Sequence, residues 1–323
     1  MNDDMADGLP TRPINRFRTG DIDEHARNMG GWQVSYDQLT PGRFEGELIE
    51  FRADWMQLVR DRSNQAMTKR GMAWEGAITF SVPLRADGPV FCCGHPIVEP
   101  SLMVAHGRNL PDLRTPQHLD LLGVAVKEQA LEHLLERQGS AFRITDLPKC
   151  YRLGDSTLPA ELAALFDELE GGGHGRESLL GFESIRRGLR DTVMLHLLEL
   201  VAPDQAPPLT PTARKRMVDR AREYALAHVD EPLSILDLCN HIGASRRKLQ
   251  YCFQETLGIN PVAYLRALRL NAVRRELRAG DQTRGVQEVA ARWGFWHLSR
   301  FSSDYRTLFG ETPSQTLRRT HLC

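Results

Sequence analysis

The chain repeats itself near its end. Ile235 through Gly243 can be laid on Val286 through Gly294, about 51 residues later. In each copy a short amphipathic helix ends at a glycine able to take the left-handed conformation that closes a tight turn. A second helix follows with matching buried positions: Leu249 and Phe253 align with Phe301 and Tyr305 at an offset of about 52, so the second turn is one residue longer. Both copies close alike, on Gly258 and Pro261 and on Gly310 and Pro313. Helix, glycine turn, helix, twice over, confines this third of the chain to an all-α arrangement of two helix-turn-helix units.

The second helix of each unit exposes residue types suited to DNA. Ser245 is a good N-cap, and Arg246, Arg247, Lys248 and Gln250 surround the buried Leu249. In the other copy His297, Ser299, Arg300 and Ser303 surround Leu298 and Phe301. Arginine pairs with guanine and glutamine with adenine in the major groove, while serine and lysine suit phosphates or either role. Two such faces on matching helices outweigh the bland alternative of solvated charge. Between the units, Pro261 to about Ala279 reads as one helix, roughly 28 Å long at 1.5 Å per residue. That is close to the roughly 34 Å turn of DNA, so the helix can hold two reading helices in successive major grooves. Its arginines 266, 269, 274, 275 and 278 are expected on the surface, available to phosphates.

Charge divides in the same place. The formal net charge is −1, yet basic residues exceed acidic ones by about eight from Thr210 onward, and the balance reverses before it. Residues 202–212 (APDQAPPLTPT) mark the joint, with Thr210 expected to cap a helix that begins on Pro211. The expected domains are 1–201, a linker at 202–212, and 213–323. No apolar run is long enough for a membrane span, the N-terminus lacks a signal h-region, and six scattered cysteines do not form a disulfide framework. A cytoplasmic protein is the expectation.

The C-terminal residues resemble the AraC/XylS family of transcription regulators. The likeness rests on Leu238-Cys239-Asn240, Gly243-Ala244-Ser245 and Leu249 with Phe253. It continues in Ala290-Ala291-Arg292-Trp293-Gly294-Phe295, Phe301 with Tyr305, Phe309-Gly310 and Thr312-Pro313-Ser314. It covers about the last 110 residues and implies a seven-helix module whose two motifs share a long helix. It also implies base contacts from Arg246, Arg247, Gln250 and Tyr251 in one unit and Leu298, Ser299, Arg300 and Ser303 in the other. Leu298 departs from the polar side chain often found at that place. The runs WGFWHLSRFSSDY, RLNAVRREL and WQVSYDQLTPGRFEGEL look like those of regulators of ethanolamine-utilisation operons. That resemblance implies an activator of RNA polymerase at a double-stranded promoter, responding to a small amine. It also links the chain to adenosylcobalamin, for which the sequence carries no local signature.

The first half is of another kind. Short apolar or alternating runs at 46–51, 77–82, 90–93, 102–105 and 121–126 are separated by Gly, Pro and Asp, and read as strands. Helical spacing follows at 127–138, 158–170 and 182–201, while residues 1–20 show no periodicity and read as a mobile tail. The fold expected is α+β: a cupin- or barrel-like N-terminal sensor with helices, joined to the all-α domain; the stripe Phe182, Ile185, Leu189, Val193, His196, Leu197 and Leu200 reads as core or as the seam of a homodimer. Trp32, Trp55 and Trp74 can wall a cationic effector by cation–π attraction, with Glu75, Glu45, Glu47 or Glu50 as counter-charge; core tryptophans and solvated glutamates are the alternative. No nucleophile elbow, P-loop, dinucleotide fingerprint or local metal pair occurs, so catalysis is not expected. Cys92 and Cys93 read as buried strand residues rather than a thiol sensor. A repair protein that accepts alkyl groups on cysteine would need a four-cysteine zinc cluster, and that pattern is missing. An architectural binder would lack a ligand pocket.

Overall fold

The computed structural model describes residues 14–53, 55–97, 102–137, 150–153, parts of 160–167, and residues 182–200, 209–229, 234–279 and 284–320. Among the described residues of the first half, twelve strands form two antiparallel sheets. The seven-stranded sheet runs β1 (Ile14–Thr19), β3 (Gly46–Ala53), β4 (Met56–Ser63), β11 (Leu119–Lys127), β6 (Ala77–Ala86), β9 (Leu102–His106) and β12 (Cys150–Leu153). The five-stranded sheet runs β2 (Gln33–Gln38), β5 (Met67–Met72), β10 (Leu113–Thr115), β7 (Val90–Cys92) and β8 (His95–Ile97).

All five strands read from the sequence are present. Residues 14–19 are a correction: they are no tail but pair in register with β3, Ile14 opposite Phe51 and Thr19 opposite Gly46. A helix α1 (Ile22–Arg27), capped by Asp21, follows. On one side of the large sheet, Phe51, Leu58, Phe80, Val124 and Val126 pack against Leu131 and Leu135 of α2 (Glu128–Arg137) and Val193 and Met194 of α3 (Glu183–Leu200). The stripe expected along α3 divides: Val193 is buried, but Phe182 and Ile185 are exposed. The side chains of Leu189, His196, Leu197 and Leu200 lie outside the described residues, as does part of the helix expected at 158–170.

Seven helices form the described remainder: α4 (Ala213–Ala227), α5 (Ile235–Ile242), α6 (Arg246–Leu257), α7 (Pro261–Arg278), α8 (Val286–Arg292), α9 (Leu298–Phe309) and α10 (Pro313–Thr320). The cap of α4 is Thr212, whose hydroxyl accepts from Lys215 N at 3.0 Å, not Thr210 as the sequence suggested. Two cores share α7. Tyr264, Leu265 and Leu268 join α4, α5 and α6 in one, while Leu270, Val273 and Leu277 join α8, α9 and α10 in the other. Both cores are led by fully buried aromatics, Phe253 and Tyr264 in the first, Phe301 and Tyr305 in the second.

The two domains meet over charged groups. Arg274 of α7 is 3% exposed, and its guanidinium bonds Asp21 at 2.6 Å and Glu311 at 2.6 Å. Arg278 reaches Asp21 at 2.8 Å and Arg275 reaches Asp37 at 2.7 Å. The sequence expectation of five surface arginines on α7 is therefore corrected: none is fully exposed, and Arg274 is among the most buried polar groups of the chain. An arginine on the far side of a helix from its own core looks solvated in sequence, but here another domain covers that side.

Candidate nucleic-acid interface

Each reading helix is placed by a short-range device visible in the backbone. Helix α5 starts with a capping box, Ser234 and Asp237 exchanging bonds with each other's backbone N–H. It ends at Gly243, whose φ of 69° is costly for any residue with a Cβ. The Ser245 hydroxyl then accepts from Lys248 N at 3.2 Å and starts α6. In the second unit α8 closes at Trp293 and Gly294, with φ of 76° at the glycine, and His297 stands at the N-cap of α9 without a side-chain bond.

Leu249, Cys252, Phe253 and Leu257 anchor α6 in its core, and Phe301, Tyr305, Leu308 and Phe309 do the same for α9. The opposite faces are open. Ser245, Arg246, Arg247, Lys248, Gln250 and Tyr251 are exposed at the start of α6, and His297, Leu298, Ser299, Arg300 and Ser303 at the start of α9. Every residue assigned to DNA from the sequence therefore stands at the surface. Helix α7, with 18 residues, spans roughly 27 Å between the units.

Two contributors were not read from the sequence. The Arg214 guanidinium lies 5.2 Å from the Tyr251 ring centre, so the first turn of α4 borders the face of α6. Trp296 is 63% exposed beside α9. A Trp within the run WGFW looks like core, and Trp293 and Phe295 do pack inward; only alternation around the turn turns Trp296 out.

The far ends of both helices rest on the first domain. The last carbonyl of α6, Leu257 O, accepts from Arg114 Nε at 3.0 Å. Near the end of α9, Leu308 O accepts from Gln38 Nε2 at 2.7 Å and from Gly42 N at 3.1 Å. These are carbonyls that a helix leaves without internal partners. Lys215 of α4 adds a bond to Asp112 at 2.7 Å, and Asn271 of α7 exchanges two 2.9 Å bonds with the backbone of Gln38.

A second site lies between the sheets. A cavity of about 90 Å³ is lined by Trp32, Tyr36, Asp61, Lys69, Pro111 and Leu113 among others. Lys69 Nζ stands 4.7 Å from the Tyr36 ring centre and pairs with Asp61, which also bonds His25 Nε2 at 2.9 Å. Burial alone raises a carboxyl, but the Lys69 and His25 partners win and hold Asp61 well below its usual range. Of the residues expected around an effector, Trp32 lines this cavity, and Trp74 joins it indirectly: both indoles donate to Gln57 Oε1, at 2.7 and 3.0 Å. Trp55 lies elsewhere, under Arg190, and Glu75 is exposed and paired with Arg108. Asp61 and Lys69 escaped sequence reading because they sit in a strand-like run of charges with no motif.

Among the described residues no group of three His, Cys, Asp or Glu side chains gathers to hold a metal, and no helix is long and apolar enough to cross a membrane.

Residues 238–319 match the model of a helix-turn-helix domain family. The chain is similar to a probable thc operon regulatory protein of Rhodococcus erythropolis, 40% identical over 103 residues, which are 32% of this chain and 31% of that protein. It is also similar to XylDLEGF operon transcriptional activator 3 of Pseudomonas putida, 33% identical over 102 residues, 31% of each chain. The chain thus matches about a third of the length of these relatives. Among solved structures, a transcriptional regulator with an AraC-type DNA-binding domain from Chromobacterium violaceum is 31% identical. That alignment covers 33% of this chain and 93% of the other, with a TM-score of 0.31.

Proposed function

The last third of this chain is a helix-turn-helix domain of the AraC/XylS kind, and on that premise we propose that the whole protein is a transcription regulator. It binds double-stranded promoter DNA through α6 and α9, activates RNA polymerase there, and answers a small molecule held in the first domain. One arrangement carries this reading: both reading helices offer their starts to solvent and seat their ends on the sensor. The exposed Phe182 and Ile185 of α3 support a homodimer.

The cavity supports a small effector. Its roughly 90 Å³ is several times the roughly 10–15 Å³ that a single water needs, which leaves room for a small molecule such as ethanolamine. An amine would meet what Lys69 already meets, a carboxylate and an aromatic face. A second reading, a small carboxylate effector, is favoured by the Lys69 ammonium at the same wall. Either ligand would act by population shift. Pro111 and Leu113 line the cavity while Asp112 and Arg114 between and beside them hold α4 and α6. Likewise Val34 and Tyr36 line it, while Asp37 and Gln38 of the same strand hold α7 and α9.

The test is binding of the full chain to its own upstream DNA across a salt series, with ethanolamine, other short amines, short carboxylates or no addition. Specific binding strengthened or reshaped by an amine is expected. Specific binding changed only by a carboxylate would transfer the effector to the second reading, and binding to random DNA alone would sink the regulator.

A further inference from the structure

The two reading faces differ in kind. Arg246, Arg247, Lys248 and Gln250 give α6 a surface of charge and hydrogen-bond donors. At the start of α9 two large apolar groups stand exposed beside Arg300: Trp296 is 63% exposed and Leu298 is 37% exposed. Neither is left over from an imperfect core, because Trp293, Phe295 and Phe301 around them fill the second core. Both stand at the N-terminal end of the helix, the part that meets base edges in helix-turn-helix docking. They are continuous with Ser299 and Arg300, which are exposed on the same turn.

We propose that Trp296 and Leu298 form an apolar reading surface for the 5-methyl groups of thymine. The thymine methyl is the apolar group that base edges display in the major groove, so it is the natural partner for such a surface. The second unit then recognises its half of the site largely by methyl contact, while the first unit recognises its half by hydrogen bonds. This assignment rests on the reading of the chain as a DNA-binding protein, and it makes Trp296 and Leu298 specificity determinants rather than general affinity residues.

The experiment uses the full chain and begins by selecting its preferred site from random-sequence duplexes. The half-site of the second unit is the part whose sequence preference relaxes in Arg300→Ala. Each thymine is then replaced in turn by deoxyuridine, which removes one methyl and leaves every hydrogen-bonding group in place. One or two replacements in the second half-site are expected to weaken binding about fourfold each, the effect of burying one such carbon. Replacements in the first half-site should leave binding unchanged. Trp296→Ala and Leu298→Ala should bind the thymine site more weakly and lose the penalty for deoxyuridine at those positions, a cycle that separates contact from folding damage. Deoxyuridine tolerated throughout, with tight specific binding intact, overturns the proposal and leaves the DNA-binding reading standing. An undiminished deoxyuridine penalty in both variants also overturns it. A change in oligomeric mass in Trp296→Ala without a change in the deoxyuridine profile gives the patch to a second copy of the chain, again overturning it. Failure of the unaltered protein to bind any duplex removes both readings together.

Discussion

Arg274 and Asp21 meet at 2.6 Å in a place where their side chains are 3% and 5% exposed. They come from different domains, 253 positions apart in sequence. Asp21 is also the N-cap of α1, taking a bond from Glu24 N at 2.8 Å, so one carboxylate organises a helix end and the interdomain contact together. Arg274→Ala would open a space beside the buried Asp21, left with Arg278, and the partly buried Glu311, left with Arg319. Removing one partner of a buried pair costs about 3–5 kcal/mol, and urea unfolding should register that loss. Arg274→Met fills the space but not the charge and should recover only part of it. A loss under 1 kcal/mol in Arg274→Ala would show that the domains do not rest on this contact.

Asp23 stands beside that pair and behaves oppositely. Burial, followed by the nearby Asp21 charge, raises its carboxyl from 3.8 to about 6. Arg274, 3.7 Å away, and Arg275 oppose the shift without cancelling it. Between those two values the folded chain holds a proton that the unfolded chain has released. This group's contribution to stability is therefore full below about pH 4 and declines as pH rises through 6, by roughly 3 kcal/mol at most. Asp23→Asn should be more stable than the original at pH 7, and that advantage should shrink toward pH 4. Parallel pH dependence in the two proteins would remove Asp23 as the cause.

Gln250 and Arg247 are exposed on α6, and the proposed function has them read bases. Replacing either with Ala should cost about 1–3 kcal/mol on the preferred site and relax preference at one position. Lys248→Ala should instead weaken all sequences alike and flatten the salt dependence by about one counterion. Uniform losses for Gln250→Ala on specific and random DNA would reassign it to the backbone.

The glycines that end the helices separate backbone strain from crowding. A Cβ on Gly243 would meet nothing within 4 Å, so Gly243→Ala carries only the cost of its positive φ, about 1–2 kcal/mol. At Gly310 φ is likewise 71°, and a Cβ would also stand 3.0–3.2 Å from the Cβ, N and Cα of Arg43 in the first domain. Gly310→Ala should therefore destabilise more than Gly243→Ala, and limited proteolysis should open the domain contact in the former alone. Equal losses without interdomain opening would mean that Arg43 gives way freely.

The second half of the fold was legible because local rules decide it. Ser234, Gly243, Ser245 and Gly258 start and stop helices from within four residues, and Leu249 and Phe253 repeat the pattern in Phe301 and Tyr305. The first domain was legible only where strands are apolar. Strand β4 carries Arg60, Asp61 and Arg62, and Arg60 is buried because it bonds Asp120 on β11 and Asp167 beyond the sheet. Periodicity has no means of seeing a buried charge whose partner lies 60 residues away. The DNA face followed from residue types on helices whose orientation was already fixed. The cavity did not, since Asp61, Lys69 and Tyr36 converge only once two sheets have been laid together.

The seating of α6 and α9 on the first domain gives each the mechanics of a lever. Leu257 O and Leu308 O are held at the far ends, by Arg114 and by Gln38, and the residues proposed to face DNA begin about a dozen positions away. Twelve residues of helix make an arm of roughly 18 Å, so a tilt of about 5° moves the tip by about 1.6 Å. Hydrogen bonds to bases tolerate only a few tenths of an ångström. On the proposed function, an effector that shifts Arg114 or Gln38 works by tilting these helices against the cores that anchor them, and a tilt of that size exceeds what a hydrogen bond to a base tolerates.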